Sequence, residues 1–360
     1  MARIVKLQKR VKELGLDAML VTHLPSIYYL INFSGSNGVL IVPQQGKPHF
    51  FTDFRYKSQV KIEVAGAKVS IIDRDRTIYD AIAEKQLFSD YDSIGFEPAH
   101  LAYWEYDILR KKFRHLKLVP VPDREVEKLT MIKTEDEIGM IRKAADIGDQ
   151  VFKQVLPVIK PGVTEREVAA EISYMTRKFG GERDAFNVIV ASGERSALPH
   201  GVATDKKIKK GELVTLDFGC VYKGFNSDMT RTVAVGKIST ELQKVYEIVR
   251  AAQQRAIDKV RPGMNGRELD SVARDYITLH GYGSKFGHGT GHGLGIEVHE
   301  LPMISQRGER YKLEPNQVFT IEPGIYLENI GGVRIEDDVV VRREGGCEEL
   351  TSSPKELITL

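Results

Sequence analysis

The chain has 360 residues, of which 42% are hydrophobic and 28% charged, an ordinary balance for a globular protein and a length that exceeds one simple core. Its 52 basic and 50 acidic side chains leave a formal net charge of +2, which argues against nucleic acid or an anionic membrane as a partner. The two cysteines, Cys220 and Cys347, form no framework of the kind that staples secreted domains or holds structural zinc. No run reaches the roughly 18 apolar residues of a membrane span, and the charged opening MARIVKLQKRVKELG lacks a signal-peptide core, so a cytoplasmic location is expected.

Ile4, Leu7, Val11 and Leu14 recur at helical spacing before Gly15, so the chain opens with an amphipathic helix. DAMLVT at 17–22 reads as a buried strand and Pro25 as the start of a turn. NGVLIV (37–42), HFFTDF (49–54) and AKVSIID (67–73) read as further strands. Helical stretches near 76–88 and 99–114 complete an α/β first domain. LVPVPDREVEKL carries two prolines and little periodicity, which places a linker near 118–125 and divides the chain into domains 1–125 and 126–360. TEDEIGMIRKAADIGDQVFKQVL is then strongly helix-periodic, with Thr134 and Glu137 spaced as a capping box.

An internal repeat runs through the second domain. KPGVTEREVAAEI from Lys160 is echoed by RPGMNGRELDSVA from Arg261, and GELVTLDFG (211–219) by NQVFTIEPG (316–324). Each copy places an acid at the same point of a strand, Asp217 in one and Glu322 in the other. Pairing of LVTLDFG with GFNSDMTRTVAV across the CVYKG turn brings Asp217 near Asp228; pairing of VFTIEPG with VRIEDDVVV sets Glu322 beside Glu336. Any one of these acids alone reads as a solvated strand position, but four in a duplicated frame with apolar neighbours do not. Gathered together they repel unless protons or cations intervene, and two divalent metals are the simplest compensation.

FGHGTGHGLGIEVHE offers nitrogen ligands: its glycines permit a tight, irregular loop that presents His288 and His292. No Lys-Ser or Lys-Thr pair follows, as a phosphate loop requires. The residues between the two histidines, Gly-Thr-Gly, also break the helical zinc motif. An oxygen-rich site with one imidazole suits manganese, cobalt, iron or zinc, and hydrolysis is its natural chemistry.

These motifs resemble a known family. HGTGHGLGIEVHE is similar to the signature of the Xaa-Pro peptidases, the proline-specific aminopeptidases and dipeptidases (prolidases) of the pita-bread metallopeptidase fold. LPHG around His200, TLDFG, FNSDMTRT, TIEPGIY and GGVRIEDD extend the resemblance over 130–345, and YLINFSGSNG and FFTDFRY resemble a creatinase-type N-terminal domain. The implied fold is an α/β creatinase-like domain followed by an α+β pita-bread catalytic domain with internal duplication. The resemblance also implies two divalent metal ions (Mn, Co, Zn or Fe). Asp217 would lie on one, His292 and Glu322 on the other, and Asp228 and Glu336 would bridge both. His292 is taken over His288 as the fifth residue of the signature, leaving His288 a structural role.

Glu322 would also handle the proton of the catalytic water, His200 and His299 would contact the substrate carbonyl or tetrahedral intermediate, and Arg334 would orient a ligand carboxylate. The implied partners are a peptide with proline at its second position and a second copy of the chain in a homodimer. Family prolidases commonly place an Arg four residues after the His that matches His299. Here that position is Met303, which tips the expectation toward an Xaa-Pro aminopeptidase over a dipeptidase. A creatinase-like metal-independent hydrolase or a non-catalytic scaffold would have replaced some of the five ligand positions, and a methionine aminopeptidase normally lacks the creatinase-like domain.

Overall fold

A computed structural model describes residues 2–73, 75–122 and 124–360, and the chain separates into two compact units, Met1–Thr130 and Met131–Leu360. Among the described residues no helix is long and apolar enough to cross a membrane.

In the first unit, helix α1 (Ala2–Glu13) buries the stripe Ile4, Leu7 and Val11. Six strands, β1 (Ala18–Val21), β2 (Val39–Pro43), β3 (His49–Asp53), β4 (Lys68–Ile72), β5 (Ser93–Phe96) and β6 (Lys117–Pro120), form one sheet in the order β4-β3-β2-β1-β5-β6. β1, β2 and β3 pair antiparallel, whereas β3–β4, β1–β5 and β5–β6 are parallel. The connecting helices are α2 (Leu24–Ile31), α3 (Val60–Glu63), α4 (Ile78–Glu84), α5 (Tyr103–Lys112) and α6 (Glu125–Thr130).

Three details differ from the sequence reading. Pro25 begins a helix rather than a turn, since the first turn of a helix has no use for its missing N–H. Asn32, at φ 63, closes that helix with its N–H on the Tyr28 carbonyl. The expected linker at 118–125 starts as β6, an edge strand where Pro120 is tolerated; Asp123 within it lies outside the described residues. Residues 126–130 belong to α6 and to the first unit, tied there by Arg10 on Glu125 at 2.6 Å and the Tyr29 hydroxyl on the Leu129 carbonyl at 2.7 Å.

The second unit holds α7 (Glu135–Val155), α8 (Glu165–Lys178), β7 (Arg183–Asp184), β8 (Ile189–Ser192), β9 (Leu213–Phe218), β10 (Cys220–Tyr222), β11 (Phe225–Asn226) and β12 (Met229–Ala234). It continues with α9 (Thr240–Lys259), α10 (Gly266–Leu279), β13 (Gly291–Gly293), β14 (Glu300–Ile304), β15 (Val318–Ile321), β16 (Gly324–Leu327), β17 (Gly331–Arg334), β18 (Asp337–Val341) and β19 (Cys347–Glu349). The repeat is visible down to single bonds. Gly162 (φ 94) and Gly263 (φ 89) make the two Pro-Gly turns, and their N–H groups bond Ile208 and Leu313 carbonyls at 2.9 and 2.8 Å. Thr164 with Glu167 and Asn265 with Glu268 then form matching capping boxes on α8 and α10. Each copy has its own core: α7 and α8 pack on β8, β9 and β12, while α9 and α10 pack on β15, β17 and β18.

One buried acid of the first unit has a measurable consequence. Burial, with the charge of Glu127 beside it, pushes Glu97 up from 4.5 to about 7. The folded chain therefore holds this proton more tightly than the unfolded chain, so this group's contribution to stability is fully present below pH 4.5 and is lost as pH rises through about 7. In Glu97→Gln that contribution is gone, so the fall in melting temperature between pH 5 and pH 8 should be shallower than in the wild type. Parallel curves would contradict the assignment.

Candidate metal centre

β9 pairs with β12 so that Asp217 faces Thr230, and the ladder resumes beyond as β10 and β11, with Val221 facing Asn226. Gly219 sits at the interruption, where a Cβ would lie 1.8 Å from the Ser227 carbonyl oxygen; only glycine lets the strands approach this closely. Asp228 falls in the same break, diagonally across from Asp217. The second copy repeats the device. β15 pairs with β18 with Ile321 facing Asp337, β16 pairs with β17 with Gly324 facing Arg334, and Glu322 and Glu336 occupy the gap between the two ladders.

The two hairpins are joined through a buried guanidinium that the sequence did not announce. Arg231, 1% exposed, contacts Asp337 at 2.6 Å and donates to the Glu336 carbonyl at 2.6 Å, while the Glu336 N–H bonds the Thr230 carbonyl at 3.1 Å. Burial alone would raise Asp337, but Arg231 and Lys355 outweigh it and hold the carboxyl below its ordinary value.

The glycine-rich segment is irregular at 286–290 and 294–299, as its composition suggests, but not where His292 stands. Gly291–Gly293 is β13, a strand between β14 and β15, and none of its glycines has a positive φ. They are required for space: a Cβ on Gly291 would lie 1.9 Å from the Thr320 carbonyl oxygen and one on Gly293 2.1 Å from that of Leu301. His292 between them has Nδ1 at 3.1 Å from the Gly293 carbonyl. Its Nε2 stands 3.4 Å from Glu322 and 3.7 Å from Asp228. Burial lowers the pKa of this imidazole and favours the neutral form that binds metals.

Ligand atoms of Asp228, His292 and Glu336 lie within 4.8 Å of one another. Burial first, and then Glu336 and Asp217, push Asp228 well above the usual carboxylate range; burial, Glu322 and Asp217 do the same to Glu336. Glu322 is raised chiefly by burial. Thr230 donates to Glu336 at 2.5 Å and Thr320 to Glu322 at 3.4 Å. The Oδ1 atoms of Asp217 and Asp228 are buried without a hydrogen bond among the described residues. Unsatisfied carboxylate oxygens around one neutral imidazole are a donor set suited to divalent cations.

Arg334 is enclosed in the same network. It donates to Asp217 at 2.6 Å, to the Thr230 hydroxyl at 3.0 Å and to the Tyr326 hydroxyl at 2.9 Å. Burial works against its charge, but Tyr326 and the surrounding carboxylates outweigh that and raise its pKa. His288 meets the other side of the Tyr326 hydroxyl at 2.9 Å, and burial pushes its pKa down. A cleft of about 550 Å³ opens on this cluster and is lined by all eight residues singled out from sequence: Asp217, Asp228, His292, Glu322, Glu336, His200, His299 and Arg334. The His299 ring lies 4.2 Å from that of His292; partial burial, with His292 and His200 nearby, pushes it down to about 4.

Sequence reasoning missed Tyr326, the threonines 230 and 320, and the anchor Asp270. The last accepts the Thr290 N–H at 3.0 Å and is gripped by Arg274, which also holds the Phe286 and His288 carbonyls in front of β13. An Asp and an Arg four apart on an amphipathic helix read as a surface pair, so only the fold shows that they brace the site.

Residues 139–343 match the family model of Metallopeptidase family M24, and residues 3–132 match the Creatinase/Prolidase N-terminal domain. The chain belongs to Metallopeptidase family M24. This metallopeptidase is 39% identical over 363 residues to the Xaa-Pro dipeptidase of Pyrococcus furiosus, with 99% of each chain covered. Its structure is similar to that of the Xaa-Pro dipeptidase from Bacillus anthracis (TM-score 0.95, 44% identity, 100% of this chain and 99% of that one). It is also similar to the X-Pro aminopeptidase from Thermotoga maritima (TM-score 0.91, 38% identity, 99% of each). The fold is thus a creatinase-type N-terminal domain followed by a pita-bread catalytic domain.

In the metallopeptidase, Arg231→Met would leave Asp337 buried without its guanidinium. The expected cost is about 3–5 kcal/mol of stability, measured by urea unfolding of the stripped protein. A cost below about 1 kcal/mol would mean that the pair behaves like a surface ion pair and does not join the hairpins.

Proposed function

We propose that this metallopeptidase is an Xaa-Pro dipeptidase that works with two divalent ions (Mn, Co, Zn or Fe) held by Asp217, Asp228, His292, Glu322 and Glu336. The observation that carries the reading is the convergence of Asp228, His292 and Glu336, with Asp217 and Glu322 around them, at one cleft. The names of the Pyrococcus furiosus and Bacillus anthracis relatives, both Xaa-Pro dipeptidases, support the dipeptide as substrate and weigh against the preference that Met303 alone gave to an aminopeptidase.

When bound, divalent ions lower the pKa of water and polarise a scissile carbonyl. The side chains do the rest. Glu322, beside His292 on the cleft, would accept a proton from the attacking water and deliver it to the departing amine. His299, neutral near physiological pH, and His200 line the cleft, where they would contact the substrate carbonyl. Arg334 keeps Asp217 in place. An Xaa-Pro bond offers no amide hydrogen and has a fixed φ, so recognition falls on the ring; Phe186, Ile189, Val202 and Met303 give the cleft apolar contacts for it.

One observation favours a second reading, an Xaa-Pro aminopeptidase acting on longer peptides. Met303 is 45% exposed on the cleft, and among the described lining residues the guanidinium is that of Arg334, already engaged by Asp217, Thr230 and Tyr326. A dipeptide's free carboxylate must then rely on the histidines and solvent.

Stripping the protein with chelator and restoring Mn²⁺, Co²⁺ or Zn²⁺ should recover cleavage of an Xaa-Pro dipeptide in preference to an Xaa-Pro tripeptide and to a methionine peptide. Preference for the tripeptide would establish the aminopeptidase, and no metal-dependent cleavage of any would refute the function. Asp228→Ala and Glu336→Ala should each abolish turnover and lower bound metal; full metal content in either would contradict its role in holding metal.

A further inference from the structure

The connection between β13 and β14, residues 294–299, carries His299 and closes over His292. Two features hold it, and neither has a place in the chemistry above. On one side Asn226, two residues before Asp228, donates its N–H to the Gly295 carbonyl at 2.8 Å. Its side-chain amide donates to the Gly295 and Ile296 carbonyls at 2.9 and 2.8 Å. On the other side Lys133, 3% exposed, reaches Glu300, 7% exposed, with Nζ at 2.9 Å from Oε2. The second oxygen of Glu300 accepts the Glu297 N–H at 3.0 Å. Gly295 is packed directly against this pair: a Cβ there would lie 2.8 Å from Glu300 Oε2 and 2.9 Å from Lys133 Cε.

Lys133 is itself fixed. Its N–H bonds the Asn316 carbonyl at 3.0 Å, the Asn316 side chain donates to its carbonyl at 3.2 Å, and Ile132 bridges Gln317 at the entry to β15. The ammonium thus ties the 294–299 connection to the sheet that carries Glu322. The connection in turn shapes the imidazoles. Glu300 faces Gly293 in the ladder and Met303 faces His292, with the register shift falling between those two pairs. The Gly293 carbonyl takes the His292 Nδ1–H, and the Val298 backbone also faces that ring, leaving Nε2 turned toward Asp228 and Glu322. The partner of the distal nitrogen sets the tautomer and direction of a ligating imidazole.

We propose that Lys133 is a positioning residue of the metal centre: its buried ion pair with Glu300 sets the 294–299 connection, and through it the orientation of His292 and His299. The proposal rests on the reading of His292 as a metal ligand and deepens it. A buried pair of this kind is weak evidence of stabilisation, since a well-packed apolar pair often serves as well. Its value here is that two directional hydrogen bonds fix where one loop lies.

The test uses full-length protein stripped of metal, as wild type, Lys133→Met and Glu300→Gln, each checked by circular dichroism to be folded at the temperature used. Co²⁺ titrated calorimetrically should bind about 10- to 100-fold more weakly in both variants. With metal at saturation, kcat on an Xaa-Pro dipeptide should fall about tenfold or more while KM stays within about threefold. Folded variants whose Co²⁺ affinity and kcat match the wild type within about twofold would overturn the positioning role while leaving the function intact. A wild type that neither binds Co²⁺ nor cleaves would instead refute the function. Glu300→Gln is nearly isosteric; if it too failed to fold, the pair would be a stabilising element only, and the proposal would likewise fall.

Discussion

Four carboxylates drawn under one pair of hairpins and away from water repel one another, and most of the second unit can be understood as the means of holding them there. Desolvation and mutual repulsion raise the proton affinity of Asp228, Glu322 and Glu336 together. The compensation that the chain itself supplies is limited: Arg334 on Asp217, hydroxyls from Thr230 and Thr320, and one neutral imidazole. The remainder falls to protons or to cations. Asp228, His292 and Glu336, whose ligand atoms lie within 4.8 Å of one another, are placed to take up a cation in their stead.

The duplication explains how such a cluster is assembled with few special residues. Each copy breaks a long hairpin at one point and places two acids beside the break. The copies then meet through β12, β17 and β18, where Arg231, Thr230 and Thr232 cross-link them. Arg231 and Lys355 hold Asp337 below its ordinary value, one residue from Glu336, whose pKa is raised by burial and by the charges of Glu322 and Asp217. Carboxyls adjacent in the chain are thus driven in opposite directions, one toward structure and the other toward ligand binding.

Much of this was legible in the sequence, for identifiable reasons. Strand period and the repeated frame located both hairpins and the four acids, and the signature selected His292. The glycines around His292 read as a source of conformational freedom, whereas they are there to let strands approach; composition cannot distinguish the two, because the difference lies in what faces the missing Cβ. α2 was hidden by Pro25, which is as compatible with a helix start as with a turn. The edge strand β6 was hidden by Pro120. Arg231 and Tyr326 were illegible for a different reason: their partners lie in the other copy or across a hairpin, and nothing local in MTRTVA or GIYL marks them.

The central claim, that the carboxylate cluster is a charge in need of a counter-cation, is tested most directly by melting. Stripped wild type and a stripped Asp228→Asn/Glu336→Gln double variant would be heated side by side with and without saturating Mn²⁺. The account predicts that, without metal, the neutralised variant melts above the wild type, and that Mn²⁺ raises the wild type strongly and the variant hardly at all. Equal melting temperatures without metal, together with equal shifts when it is added, would contradict it.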